Sequence, residues 1–255
     1  MQDEVFDLAG MIGPDEQLDD LQLKGLRILQ KKQGFHYGMD AVLLADFAGI
    51  RPRDHVADFG TGTGILPLLL YGRGKGARFD AFELQPDMAE MAARSMRLNA
   101  LTSQITVHAR PVEEATDVVP PCSLDAIVAN PPYGRAGTTL ENPEETRRLA
   151  RHQSEEGLTG WFRTAHRLLK GKGRMALIYP APQLLSLMEQ LQAGHLVPKR
   201  FRLVYPFADR PANLVLVEAV KDAKPLLHPE PPLIIYCKDG SPTEELQRIY
   251  GGSFR

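Results

Sequence analysis

Short runs of Val, Ile, Ala and Phe alternate along this chain with longer segments in which apolar residues return every three or four positions. Residues 55–59, 77–82, 104–108, 124–129, 174–179, 200–205 and 213–220 are of the first kind. Runs that short predict strands, and the one at 124–129, rich in Ile, Val and Ala, predicts a strand buried on both faces. Helices are predicted between them, over 86–99, near 160–169 and around 183–192, with another from Ile65 that tolerates Pro67 in its first turn. A further helix face is set by Ala41, Leu44, Ala45, Phe47 and Ala48, and Asp40 is placed either as its N-cap or beside a ligand. Strand alternating with helix predicts an α/β fold, a doubly wound, mainly parallel sheet covered on both faces. Ligands of such sheets lie outside the carboxyl ends of the strands. The margins are less regular. Residues 1–20 read as an acidic, flexible leader with a Gly-Pro-Asp turn at 13–15, and residues 21–30 suit a short strand or a helix. A Gly-Lys-Gly turn at 171–173 precedes the strand at 174–179. Residues 21–255 are expected to form one domain, with the chain from about 221 wrapping back on it and 231–236 adding an edge strand.

At 255 residues, 43% hydrophobic and 24% charged, the chain is long enough for a large core and ordinary in make-up. No apolar run approaches the ~20 residues of a membrane span, and no basic region followed by an apolar one opens the sequence, so a cytoplasmic protein is expected. Cys122 and Cys237 are too few for a disulfide framework or a zinc cluster, and no metal-ligand spacing is visible. The net charge of −2 argues weakly against a nucleic-acid partner. However, the first twenty residues hold seven acids and no Lys or Arg, which leaves the remainder at +5.

Two stretches carry candidate chemistry. Asp58-Phe59-Gly60-Thr61-Gly62-Thr63-Gly64 joins a strand directly to a helix, and Glu83 ends the next strand about 20 residues on. Glycines allow close approach of backbone to a ligand, the helix start beyond them favours an anionic group, and a carboxylate at the next strand tip can accept from ribose hydroxyls. The spacing is tighter than the dinucleotide fingerprint. The second stretch, Asn130-Pro131-Pro132-Tyr133, leaves a buried strand and stiffens. It offers the Asn130 side-chain carbonyl, the Pro131 carbonyl and a flat ring, which suits a planar group bearing an NH₂. Holding both N–H bonds with fixed acceptors lets the nitrogen pyramidalise as it bonds to an electrophile. The plainer alternatives are a rigid strand-exit loop with an aromatic plug and, for Glu83, a solvated strand-end acid.

With these residues the chain resembles class I S-adenosylmethionine-dependent methyltransferases. Residues 38–47, Ala150-Arg151-His152 and residues 210–219 resemble, more narrowly, the tRNA1(Val) adenine-37 N6-methyltransferase family. The resemblance implies a seven-stranded sheet with an antiparallel last strand, S-adenosyl-L-methionine as cofactor and tRNA as substrate. It also implies that Asp58, Gly60, Thr61, Gly62, Gly64 and Glu83, with Asp40, hold the cofactor while Asn130, Pro131, Pro132 and Tyr133 hold the amine. Where such enzymes commonly carry an acid near the cofactor adenine, this chain has His108-Ala109-Arg110, and Glu113 is the candidate replacement. RNA needs phosphate contacts. Lys31, Lys32, His36, Arg147, Arg148 and Arg151 are the candidates near the rim, with Lys199, Arg200 and Arg202 as a second cluster; Arg163, Arg167, Lys170, Lys172 and Arg174 are expected to lie away from the site. A protein glutamine, a DNA adenine, a cofactor-binding protein without turnover and a nicotinamide oxidoreductase remain the alternatives.

Overall fold

The computed structural model describes residues 11–33, 38–132 and 158–251. The chain opens with an antiparallel hairpin of β1 (Glu16–Asp20) and β2 (Arg27–Lys31), then runs through α1 (Met39–Phe47), β3 (His55–Phe59), α2 (Ile65–Gly72), β4 (Arg78–Glu83), α3 (Pro86–Leu98) and β5 (Ile105–Ala109). A 3-10 turn at Val112–Asp117 leads to β6 (Leu124–Ala129), α4 (Thr159–Leu168), β7 (Leu169–Pro180), α5 (Leu184–Ala193) and β8 (Leu196–Phe207). Last come β9 (Leu214–Lys221), β10 (His228–Pro229), β11 (Leu233–Tyr236) and α6 (Glu244–Ile249).

The large sheet has the order β5-β4-β3-β6-β7-β9-β8, with β3 to β7 parallel and β9 antiparallel between β7 and β8. That is the expected seven-stranded arrangement. Two more strands extend it, because β8 is long enough for the tail to pair twice along it: β10 at Arg200 and Phe201, β11 from Val204 to Phe207, both parallel. The strand side chains alternate between two cores, as a period of two requires. Val56, Ala126, Val128, Ala176 and Ile178 pack under α1, α2 and the tail residues Leu246 and Ile249. Ala57, Phe59, Ile127, Ala129, Met175 and Leu177 pack under Phe162, Ala165 and Leu168 of α4 and Leu187 and Leu191 of α5. No helix among the described residues is long and apolar enough to cross a membrane.

Three local expectations change, and one open choice closes. Residues 16–20 are strand, not leader, and Arg94 of α3 draws Glu16 in: its guanidinium meets both Glu16 oxygens, at 2.5 and 2.7 Å, and Glu16 is buried. The hairpin is then stitched to α3 through Leu29 N donating to Ser95 Oγ and a two-way pairing of Arg27 with Asn99. The N-cap of α1 is Gly38, in extended conformation, and Asp40 lies one position inside the helix, buried. The Gly-Lys-Gly segment belongs to β7, where the register jumps from Leu124↔Leu169 to Ala126↔Arg174 and the residues between bulge out. Of residues 21–30, the part from Arg27 is strand, with Leu21 N and Leu26 N closing the turn before it.

Candidate functional site

β3 is where the topology reverses: β4 follows it on one side through α2, and β6 lies on the other. Phe59 is in register with both Phe82 of β4 and Ala129 of β6. Gly60, Glu83 and Asn130 therefore each stand one residue beyond the same rung, on strands roughly 5 Å apart. The turn after β3 places Gly60, Gly62 and Gly64 at φ of +73°, +57° and +86°, a region other residues rarely adopt. Its backbone is braced by β4: Gly60 N and Thr61 N donate to the Phe82 carbonyl at 3.0 and 2.8 Å, and Gly62 N donates to Glu83 Oε2 at 2.8 Å. Glu83 Oε1 accepts from Gln85 N, so the acid expected for a ribose also shapes the glycine turn. On the far side of the turn, a Cβ on Gly64 would lie 2.5 Å from Met96 Cε of α3.

Beneath the turn lies an unmatched acid. Asp58 is completely buried, and among the described residues neither of its oxygens nor Thr61 Oγ1 has a hydrogen-bond partner. Burial, aided by the neighbouring charge of Glu83 and opposed by the Thr61 hydroxyl, pushes the Asp58 carboxyl up to about 7. Asp80, two residues below Phe82, has the reverse arrangement. Its oxygens meet His55 Nε2 at 2.6 Å and His108 Nε2 at 2.7 Å. Burial would raise this carboxyl, but the two imidazole hydrogen bonds overcome it and hold the group well below the usual range. His108 in turn stacks on Phe82 at 4.8 Å, where the expected adenine-side acid is missing.

A family model described as the methyltransferase small domain matches residues 38–183. The chain belongs to that family. It is a methyltransferase with the class I fold, and its cofactor is S-adenosyl-L-methionine. Over 208 residues it is 31% identical to the tRNA1(Val) (adenine(37)-N6)-methyltransferase of Parabacteroides distasonis, covering 80% of this chain and 85% of that one. Over 195 residues it is 32% identical to the protein of the same name from Tolumonas auensis, covering 76% and 80%. A solved structure, a predicted O-methyltransferase from Agrobacterium tumefaciens, superposes with a TM-score of 0.67 at 24% identity over 84% of this chain and 96% of that one. The residues present fit the cofactor. Left-handed glycines, a strand-tip carboxylate and a buried acid with no hydrogen-bond partner among the described residues suit a ligand with hydroxyls and a cationic amino acid end.

Within the methyltransferase, Asn130 is half-buried, Pro131 buried and Pro132 exposed at the end of β6. Tyr133, His36, Arg147, Arg148 and Arg151 lie outside the described residues. Lys31 pairs with Asp15 at 2.7 Å and Lys32 donates to the Pro14 carbonyl, so both close the hairpin. The second basic cluster is consumed by the fold. Arg200 pairs with Glu218 and Glu230 and lies over the Phe47 ring at 4.0 Å. Arg202 pairs with Glu245, and Lys199 reaches the Lys224 carbonyl. Lys170 and Arg174 pair with Asp125 and Asp54 at the opposite edge of the sheet, as expected of them. Glu113 stands in the 3-10 turn against Gly160, its Oε1 3.4 Å from where a Cβ would be. One residue of the site went unnoticed in the sequence: Trp161, whose ring reaches the Gly60 side of the turn. As the single Trp in the chain, in the predicted helix that follows the Asn-Pro-Pro-Tyr segment, it was visible, but nothing local ties it to Gly60.

Proposed function

We propose that this methyltransferase places a methyl group on the N6 amine of an adenine in tRNA, of the position-37 kind carried out by the relatives named above. The observation that carries the reading is the register Phe59↔Ala129, which stands Asn130 and Pro131 beside the glycine turn at the switch point. When bound, the cofactor supplies an electrophilic sulfonium methyl. Asp58, Thr61, the Gly60–Gly64 backbone and Glu83 hold it, with Asp40 of α1 on the same face of the sheet. The Asn130 side-chain carbonyl and the Pro131 carbonyl each accept one N–H of the amine, which fixes its plane and aims the nitrogen. Both acceptors bond better as the nitrogen gains positive charge, so they favour the transition state over the ground state. Tyr133 stacks on the base, which contributes about 1–3 kcal/mol toward turning it out of a loop. No side-chain base is needed at the nitrogen, because the methylated cation is acidic enough to lose its proton to water.

The test is labelled-methyl transfer to tRNA transcripts carrying A or G at position 37, together with mass spectrometry of tRNA nucleosides from cells with and without the gene. Loss of N6-methyladenosine in the deleted strain and label on the A transcript alone support the reading. Label on a protein glutamine with none on tRNA refutes it, since a carboxamide would satisfy the same two acceptors.

A further inference from the structure

One flank of the glycine turn is closed by a side chain that a strand-turn-helix motif does not require. Trp161 Cη2 lies 2.9 Å from where a Cβ on Gly60 would stand, with Cζ3 at 3.6 Å. The same ring meets Phe59 edge-on, with centroids 6.1 Å apart and planes at 85°. Glycine at 60 and tryptophan at 161 are thus complementary: the ring fills the room a side chain would take, at a φ of +73°. The indole is half-buried. It belongs to the first turn of α4, which ends where β7 begins, at the opposite edge of the sheet. α4 therefore runs antiparallel to the strands, and its first turn stands at the carboxyl rim, with Glu113 against Gly160 on its other flank.

We propose that Trp161 is a positioning residue for methyl transfer: it fixes the Gly60–Thr61 backbone against the Phe59 rung and so sets the cofactor turn relative to Asn130. The inference deepens the methyltransferase reading and rests on it. Its effect is on alignment, where a displacement of about 1 Å is worth on the order of a hundredfold in rate. Because the chain has one Trp, its emission reports on the surroundings of this ring.

The experiment titrates the wild-type protein with S-adenosylmethionine, and separately with S-adenosylhomocysteine, by calorimetry and by tryptophan emission. A saturable emission change with the calorimetric midpoint is expected. Trp161→Leu should lower kcat on bulk tRNA about tenfold or more while the calorimetric Kd moves less than about threefold, and Trp161→Phe should recover most of the rate. Cofactor heat with a flat emission trace overturns this inference alone, as does a folded Trp161→Leu protein whose kcat stays within about twofold of wild type. Absence of cofactor heat overturns the methyltransferase reading and this inference together. If the Leu variant does not fold, the emission titration and the Phe variant still decide.

Discussion

Replacing Asp58 by Asn separates what this acid does to the fold from what it does for the ligand. The wild-type carboxyl is fully buried with no hydrogen-bond partner among the described residues, and burial above all pushes it from 3.8 up to about 7. Between those two values the unfolded chain is already ionised while the folded one still holds its proton. A raised acid therefore gives stability that is intact below the lower value, is lost progressively as pH rises and stays lost above the higher one. Roughly three pH units at about 1.4 kcal/mol each amount to about 4 kcal/mol. Asn has nearly the same shape and cannot ionise. Ligand-free wild type and Asp58→Asn should then have similar stability to urea near about pH 4 and diverge steadily, the variant being more stable by about 4 kcal/mol near about pH 8. The same variant should bind S-adenosylmethionine at least tenfold more weakly, since a buried charged acceptor is gone. Calorimetry near about pH 7, in buffers of different ionisation heat, should show the wild type releasing up to about half a proton on binding as Asp58 ionises beside its new partner. Parallel pH profiles for the two proteins would refute the reasoning, because they would mean that Asp58 is not the group that titrates.

Asn130→Ala should lower kcat by about 10²–10³ while leaving the cofactor Kd unchanged, read by labelled-methyl transfer and calorimetry; an equal loss of affinity would move Asn130 into the cofactor pocket. Arg94→Met leaves Glu16 buried without its main partner, and a loss of about 3 kcal/mol is expected, with faster hydrogen exchange in β1; less than about 1 kcal/mol would mark the pair as a surface contact. Asp80→Asn should behave oppositely to Asp58→Asn. Asp80 is held low by His108 and His55, so the stability it gives is present above its ordinary value near 3.8 and lost as pH falls through that range. The variant should thus be less stable at neutral pH, and the gap should close toward acid in the same urea series.

What the sequence disclosed, and what it hid, follows from how far each determinant reaches. β6 and β9 are legible because a strand covered on both faces is mostly apolar, and the glycine turn because positive φ leaves few other residues to choose. The rim then follows from strand and helix taking turns. The hairpin was illegible for the opposite reason: Glu16 looks as solvated as its acidic neighbours until Arg94, 78 residues beyond it, is known to face it. Arg200 looked like a phosphate contact because Glu218 and Glu230, the acids that pair with it, arrive through strand order and the returning tail. Gly38 caps α1 by its backbone conformation, and with a polar residue two positions later the composition pointed to the wrong one. Trp161 matches Gly60 across the whole middle of the chain, a pairing that no window of local pattern contains.

These hidden long-range contacts converge on the same few residues. The Phe82 carbonyl holds Gly60 and Thr61, Glu83 holds Gly62, Met96 closes on Gly64 and Trp161 on Gly60. Met96 is itself carried by α3, the helix onto which the hairpin is fastened at Ser95 and Arg94. The backbone of the turn is thus fixed by the protein, while the polar groups buried beneath it, Asp58 and the Thr61 hydroxyl, have no hydrogen-bond partner among the described residues. That division is what a preorganised site requires, since donors and acceptors held in place beforehand need not be reorganised when charge arrives. It also locates the gain on binding: stabilisation by the cofactor should come from pairing Asp58, not from reshaping the turn. At one fixed concentration of S-adenosylmethionine, resistance to urea should rise less in Asp58→Asn than in wild type by the amount its weaker Kd dictates, and the two gains should coincide once concentration is scaled to each Kd.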